Sequence, residues 1–251
     1  MTRLLVALCS LWACLAQAAA PHQAYDSARA GFMARSGSES FRVSATYNLA
    51  KQGQQIGTIV ETFKRSDGRY QLESVTTATG IYALFIKGKI RLTSSGEVTG
   101  KGLRPTRFEH QRGADPAKTV RADFDWEKMN LTLNFDGKTE HVALEPGTQD
   151  RISLLYQFMF APPAQEDISL FMTSGRKLSL YQYRLAGEEK ITTPAGQFLT
   201  VHLIKQHAAD EDGTEIWLAK KSHYLPVRIV IEEREGGRLE QNLTAVSFAG
   251  E

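Results

Sequence analysis

The side chains that could do chemistry in this chain are scattered along it. Nucleophilic hydrolysis needs an activated serine, a base and a group that orients the base. No Gly-x-Ser-x-Gly elbow is present, and Ser36, Ser38, Ser94, Ser95 and Ser174 sit beside glycines in turn-like sequence. A zinc or copper site needs clustered His, Asp and Glu. His202 and His207 are five apart, so a strand through both points them to opposite faces, and His110, His141 and His223 are dispersed. These histidines read as solvated strand residues. Asp210-Glu211-Asp212-Gly213-Thr214-Glu215 has the charge of a calcium loop but lacks its closing acid and flanking helices, and reads as an acidic hairpin turn. Asp123 and Asp125 share one strand face about 6–7 Å apart, on what alternation marks as a wet side. Lys87, Lys89 and Arg91 form a basic stripe that suits acidic headgroups, or an edge protected from pairing. No catalytic residue, metal ligand or cofactor is assigned.

Apolar residues give a stronger pattern. Ile152, Leu155, Tyr156 and Met159 recur at helical spacing over Asp150 to Phe160. Thr148 or Asp150 caps the start, and Pro162-Pro163 ends the helix. Tyr181 and Tyr183 share a strand face opposite Leu178 and Leu180, so that strand is apolar on both sides. A curved sheet lined in this way and lidded by the helix could hold an acyl chain. Ile152, Leu155, Tyr156, Met159, Tyr181 and Tyr183 are therefore the candidate ligand-binding residues, and a filled core is the other reading of each.

The elements that position these residues are strands. Phe41, Val43, Ala45, Tyr47 and Leu49 alternate with polar residues. The same period recurs at Ile86, Ile90 and Leu92, at Val120 to Trp126, at Met129 to Phe135, at Leu199 to Leu203 and at Val227 to Ile231. Asp67-Gly68, Asp136-Gly137 and Asp212-Gly213 read as tight hairpin turns, with weaker turns at Ser95-Gly96, Gly100 and Gly236-Gly237. Thr77 to Phe85 reads as a short helix over one end of the sheet, or as a buried strand. Alternation and turns give a mainly β fold, an antiparallel sheet in a sandwich or a barrel, with one or two short helices.

Composition and the N-terminus bound the setting. The chain has 251 residues, 42% hydrophobic and 23% charged, which is enough apolar material for a core and excludes whole-chain disorder. With 30 Lys+Arg against 28 Asp+Glu, it lacks the basic excess of a nucleic-acid binder. Arg3, the apolar run Leu4 to Leu15 and Ala16-Gln17-Ala18 form a secretory signal, cut after Ala18. The run of about twelve residues is too short to span a membrane. Both cysteines, Cys9 and Cys14, fall inside it, so the mature chain carries no thiol and no transmembrane segment. Residues 1–18 are then the signal, 19–39 a loose N-terminal segment and 40–249 a single antiparallel β domain. The expected location is the periplasm. A lipid anchor at Cys14 is the alternative, since Leu11-Trp12-Ala13-Cys14 resembles a bacterial lipobox apart from the bulky Trp12.

Further motifs carry a resemblance. Gly96 and Gly102-Leu103-Arg104-Pro105, then Gln149-Asp150-Arg151-Ile152-Ser153-Leu154-Leu155-Tyr156, stand in the order found in the bacterial domain of unknown function 3108 family. Thr193-Pro194-Ala195-Gly196-Gln197-Phe198, Trp217-Leu218 and Leu225-Pro226-Val227 complete the order. The resemblance covers nearly the whole mature chain and implies a curved, incomplete barrel like that of periplasmic lipoprotein carriers. It transfers no catalytic residue. Family members commonly carry an acid after the Trp-Leu pair, where this chain has Ala219-Lys220-Lys221. The reading that results is a non-enzymatic envelope protein that binds an apolar ligand, with a lipid or another envelope protein as partner and no nucleic acid. The alternatives are an envelope-acting hydrolase whose site is assembled only by the fold, and a structural factor without a small ligand.

Overall fold

A computed structural model of the chain describes residues 40–85, 88–113 and 118–250. The expected signal, the loose segment 19–39, Ile86 and Lys87 lie outside the described residues. The first eight strands are β1 (Phe41–Lys51), β2 (Gln54–Ser66), β3 (Arg69–Ala78), β4 (Ile90–Thr99), β5 (Gly102–Arg112), β6 (Val120–Asp125), β7 (Asn130–Phe135) and β8 (Lys138–Ala143). A two-residue strand, β9 (Gln149–Asp150), precedes β10 (Asp167–Thr173) and β11 (Leu178–Thr193). The rest are β12 (Gly196–Gln206), β13 (Gly213–Ala219), β14 (Leu225–Glu232) and β15 (Arg238–Ala249). Two short helices interrupt them, α1 (Tyr82–Phe85) and α2 (Ser153–Phe160).

All fifteen strands join one sheet. β1 to β8 form one antiparallel meander, and β10 to β15 form another. The first and last strands, β1 and β15, pair at the middle of the sheet, from Arg42 opposite Ala249 to Lys51 opposite Leu239. β8 and β9 are the two edges, and β9 joins β10 in parallel. A flat sheet of this size would be about 65 Å wide. Ala143 and Gln149 are joined by a link that spans at most about 20 Å. The sheet must therefore curl until its edges almost meet, so the incomplete barrel is a consequence of a short connection. Gly175, in the turn between β10 and β11, lies so close to the opposite half that a Cβ there would stand 2.5 Å from Val120. Arg176 in the same turn pairs with Asp136 between β7 and β8.

Alternation sets the inner face. Phe41, Val43, Ala45 and Tyr47 are buried along β1, as are Val120, Ala122 and Phe124 along β6 and Leu131 and Leu133 along β7. Asp67-Gly68 and Asp136-Gly137 turn with positive φ at both residues, and Gln52-Gly53 does the same without an aspartate. Three expectations change. Gly213 opens β13 instead of completing a tight turn, because the β12–β13 loop is longer. Ser95-Gly96 is a register shift inside β4, not a turn. A Cβ at Gly96 would stand 2.2 Å from the Arg104 carbonyl, so only glycine allows β4 and β5 to approach there. Met129 is exposed at a left-handed turn position and not part of the β7 core, and Leu199 is also exposed. α1 is a helix as expected, yet Ile81 and Leu84 beside and within it are exposed.

α2 begins three residues later than periodicity suggests, because Asp150 is held in β9 and caps the helix from outside. The Asp150 carboxylate accepts the backbone N–H groups of Ile152 and Ser153 at 3.0 and 2.9 Å, and Ser153 Oγ accepts the Asp150 N–H at 2.9 Å. This is a capping box with Asp150 as the outer partner. The helix is apolar almost all round, and Ser153, Leu154, Tyr156, Phe158, Met159 and Phe160 are buried. Tyr156 and Phe160 pack on Phe63 of β2, with Tyr156 stacked at 5.6 Å. Leu154 and Phe158 face the cluster formed by Tyr183, Leu203, Ile216 and Leu218. The helix is thus wedged between the two meanders. Leu154→Ala should leave a cavity and cost about 2–5 kcal/mol of unfolding free energy, whereas Leu155→Ala at its half-buried site should cost about 1 kcal/mol or less. Urea denaturation of the two variants checks this; equal losses would mean that both sides of the helix are packed alike.

Candidate functional site

Beneath α2 lies a set of buried polar groups. Glu61, inward on β2, accepts the Ser74 hydroxyl at 3.0 Å and the Tyr156 hydroxyl at 3.0 Å. Tyr47 donates to the Pro226 carbonyl at 3.0 Å, across the β1–β15 seam. Ser94 of β4 donates to the second oxygen of Asp150 at 2.5 Å and shares a hydrogen bond with Tyr70 at 2.9 Å. Burial pushes the Glu61 carboxyl up against the opposing effect of its two hydroxyl donors. Burial likewise raises Asp150, to about 6, although Ile152, Ser153 and Ser94 donate to its carboxylate. The same burial raises Tyr47, Tyr70 and Tyr156. Each of these side chains is closed off from solvent, so no substrate reaches them. They act as a clasp that ties strands β2, β3 and β4 to the helix.

A second constellation lies on the outer face of β11 to β14. His202 contacts Glu189 at 3.2 Å through Nδ1 and Glu215 at 2.7 Å through Nε2. Its ring stacks on Trp217 at 4.1 Å, and Trp217 donates to Glu189 at 2.7 Å. The two carboxylates meet opposite nitrogens, so the three groups do not converge on one ion. Among the described residues no group of three His, Cys, Asp or Glu side chains could hold a metal. The reading of solvated histidines is corrected at two positions. His202 is covered by Trp217, and His110 is buried on the inner face of β5, where Arg112 donates to its Nε2 at 3.1 Å. Burial first, then the charges of Arg112, Arg151 and Arg176, lower His110 to about 4. In the basic stripe, Arg91 is paired with Glu73 and Lys89 is exposed.

The outer face of β1 to β5 carries a groove of about 410 Å³, lined by Arg42, Lys64, Gln71, Ser95 and Arg107 among others. These five stand opposite one another in register across the strands. Arg107 is already engaged by Glu109 and Asp123.

The inner face of β10 to β14 differs in kind. Over a buried layer that includes Met172, Tyr183, Val201, Leu203, Ile216 and Ile229 lie Leu155, Ile168, Leu170, Tyr181, Leu185, Tyr224 and Ile231, all only partly buried. This face is the candidate site. Of the residues expected to bind a ligand, Leu155, Tyr181 and Tyr183 come together here, the first two half-open and Tyr183 buried. Tyr156 turns to Glu61 and Phe63 in the other half, and Ile152 and Met159 are buried outside this cluster. Ile168, Leu170 and Leu185 belong to the site without having been singled out. The alternation of β10 and the crossing from Tyr183 to Leu185 on one face were the available signals.

Comparison with known families places residues 40–244 in the family described as "Protein of unknown function (DUF3108)". The chain belongs to the DUF3108 family. A comparison with curated proteins gave no match. Solved structures similar to the chain include a candidate exported protein with a YmcC-like fold from Bacteroides fragilis, 13% identical, covering 84% of this chain and 96% of that one with a TM-score of 0.34. A candidate lipoprotein from Parabacteroides distasonis is 10% identical, with the same two coverages and the same TM-score of 0.34. A DUF1329 family protein from Desulfovibrio piger is 13% identical over 90% of this chain and 92% of that one, with a TM-score of 0.25.

The DUF3108 motifs now have a physical role. Gln149 donates to the Leu103 carbonyl at 2.9 Å, and the Leu103 N–H donates to Gln157 at 2.6 Å. The Gly-Leu-Arg-Pro segment of β5 is thereby stitched to both ends of the Gln149 to Gln157 segment. Ala195 donates to the Leu243 carbonyl at 3.1 Å, and Pro226 receives Tyr47. The motifs mark the framework that holds the curl. After Trp217-Leu218, Ala219 is buried and Lys220 pairs with Glu188. No helix among the described residues is long and apolar enough to cross a membrane.

The Asp150 carboxyl gives a signed pH effect. Its folded pKa of about 6 lies above the ordinary 3.8. The fold therefore gains from a protonated Asp150 below about pH 4, and that gain is lost as pH rises through 6. His110 has the opposite sign, since its lowered pKa costs stability as pH falls from 6.5 towards 4. Asp150→Asn removes only the first slope. Relative to wild type, the variant should gain on the order of 2–3 kcal/mol between pH 4 and pH 7 in denaturant titrations. A difference that stays constant across that range would mean that Asp150 is ionised in the fold at its ordinary pKa.

Proposed function

We propose that this DUF3108 protein is a periplasmic envelope protein that holds one acyl chain on the inner face of β10 to β14, alongside α2. The reading is carried by the partly open apolar row of Leu155, Ile168, Leu170, Tyr181, Leu185, Tyr224 and Ile231 over a close-packed layer. Apolar side chains kept half in water forgo about 25 cal/mol for each Å² left uncovered, and a hydrocarbon chain laid along them recovers it. The secretory signal read at Arg3 to Ala18 supports the location. The buried acids are closed to substrate, and the outward His202 cluster is internally paired, which favours carriage or storage over catalysis.

Native mass spectrometry of protein purified from its own envelope fraction tests the reading. The expected spectrum contains a species heavier than the mature chain by the mass of one lipid, and Leu155→Arg should remove that species. N-phenyl-1-naphthylamine should brighten on mixing with delipidated protein and dim when hexadecanol is added. A bare mass together with no response to either compound would leave a structural factor without a small ligand.

A further inference from the structure

The groove on the outer face of β1 to β5 lies on the other side of the sheet from the apolar row, and its register is explicit. Arg42 of β1 stands opposite Lys64 of β2, and Lys64 opposite Gln71 of β3. Gln71 stands opposite Ser95 of β4, and Ser95 opposite Arg107 of β5. Adjacent strands lie about 4.8 Å apart, so Lys64 and Arg107 are rooted about 14 Å from each other, with two shorter side chains between them. Long cationic side chains form the walls, and Gln71 and Ser95 form the floor. Leu72 and Ser94 also line the groove, yet both side chains are buried on the inner face, so the groove reaches down to the main chain of β3 and β4. The bulge of β4 falls between Ser95 and Gly96, on this same floor.

The charges of the groove are unbalanced on one wall. Arg42 and Lys64 are like charges directly opposite each other, an arrangement that destabilises a strand pair. Neither forms an ion pair with a described residue. The nearby carboxylates serve other cations: Glu73 pairs with Arg91, and Glu109 is shared by Arg107 and Arg121. Asp123 stands 4.0 Å from Arg107, at the opposite wall. Two further acids, Glu39 and Glu251, are near Arg42 and its partner Ala249 in sequence and lie outside the described residues. The experiment below therefore varies them as well.

We propose that this groove binds the phosphate ester of a small polyol, with the phosphate held by Arg42 and Lys64 and the hydroxyl groups lying over Gln71 and Ser95. A guanidinium pairs phosphate oxygens through two parallel hydrogen bonds, and the ammonium opposite adds a point charge. The body of the ligand is polar, because every outward side chain that lines the groove is polar. Thr62, Gln71, Thr93 and Ser95 both donate and accept, which is what a hydroxyl group requires of its partners. The volume of about 410 Å³ is that of a small-molecule site and exceeds what a bare oxyanion fills. The same chemistry exists free, as glycerol 3-phosphate, and at a membrane surface, as the head of phosphatidylglycerol. The site stands apart from the acyl-chain reading and does not depend on it.

The test titrates the full mature chain with glycerol 3-phosphate, inorganic phosphate and glycerol by calorimetry, and sediments it with vesicles of phosphatidylglycerol or phosphatidylcholine. Wild type should bind glycerol 3-phosphate more tightly than inorganic phosphate, and glycerol not measurably. Arg42→Gln/Lys64→Gln should weaken glycerol 3-phosphate by at least about tenfold, the factor expected from one hydrogen bond to a charged group, with an unchanged thermal midpoint. Gln71→Leu should bring glycerol 3-phosphate down towards the affinity of inorganic phosphate, and about 0.5 M salt should weaken both anions. Sedimentation with phosphatidylglycerol vesicles alone, lost in the double variant, would assign the ester to a membrane head; binding of glycerol 3-phosphate without vesicles would assign it to a soluble source. No binding of either form would overturn the proposal, as would binding that survives Arg42→Gln/Lys64→Gln. Inorganic phosphate that binds as tightly as glycerol 3-phosphate would overturn the polyol. Glu39→Gln/Glu251→Gln should bind as wild type does; binding seen only in that variant would mean that the chain's own acids occupy the groove, and would overturn the site.

Discussion

The link from β8 to β9 governs this architecture. It carries the chain from one edge of a fifteen-stranded sheet to the other in a few residues, so the sheet can exist only in a curled form. Asp150, at the end of that link, fixes the arrangement. One carboxylate oxygen caps α2 and the other accepts Ser94 from β4, so the far edge, the helix and the first meander meet at one side chain. Gln149 adds a bond to the Leu103 carbonyl of β5. Burial of the acid opposes this arrangement and its three donors offset part of the opposition, which makes the junction sensitive to proton activity.

The helix divides the interior into two unlike halves. Towards β1 to β4 the contacts are aromatic and hydrogen-bonded: Phe63 stacks between Tyr70 and Tyr156, and Glu61 gathers two hydroxyl groups. Such a network holds one geometry, because misplacing any member strands a buried polar atom. Towards β10 to β14 the contacts are apolar, aliphatic side chains mixed with Phe158 and Tyr183, and part of the layer is open. Non-directional packing of that kind tolerates a foreign chain as readily as one of its own side chains. Rigidity and accommodation are thus separated by a single eight-residue helix.

Much of this was legible from the order of residues. Period-two alternation located the strands because each has one wet and one dry face, and Asp67-Gly68 and Asp136-Gly137 located their turns. The DUF3108 family and the open curved sheet were read correctly for the same reason, since both rest on local pattern and motif order. Alternation could not say what occupies the inner face when the residue is polar. Glu61, Ser74, Ser94 and His110 all sit at inward positions, and for Glu61 and Ser94 the partners Tyr156 and Asp150 come from a segment distant in the chain. The candidate ligand residues divided because helical spacing reports which residues share a face, not how many faces are covered. α2 is enclosed on both sides, so Tyr156 and Leu155 serve different halves.

The pairing of β1 with β15 has a consequence for biogenesis. Thr244 donates to the Thr46 carbonyl across 198 positions of sequence. The central seam of the sheet thus joins the first described strand to the last, and closing so long a loop is entropically slow. Each meander can zip locally as it appears, but the curl cannot shut, nor Tyr47 reach Pro226, until β14 and β15 have emerged. The two meanders therefore stay unjoined, and the chain between them extensible, until its last described strand is in place.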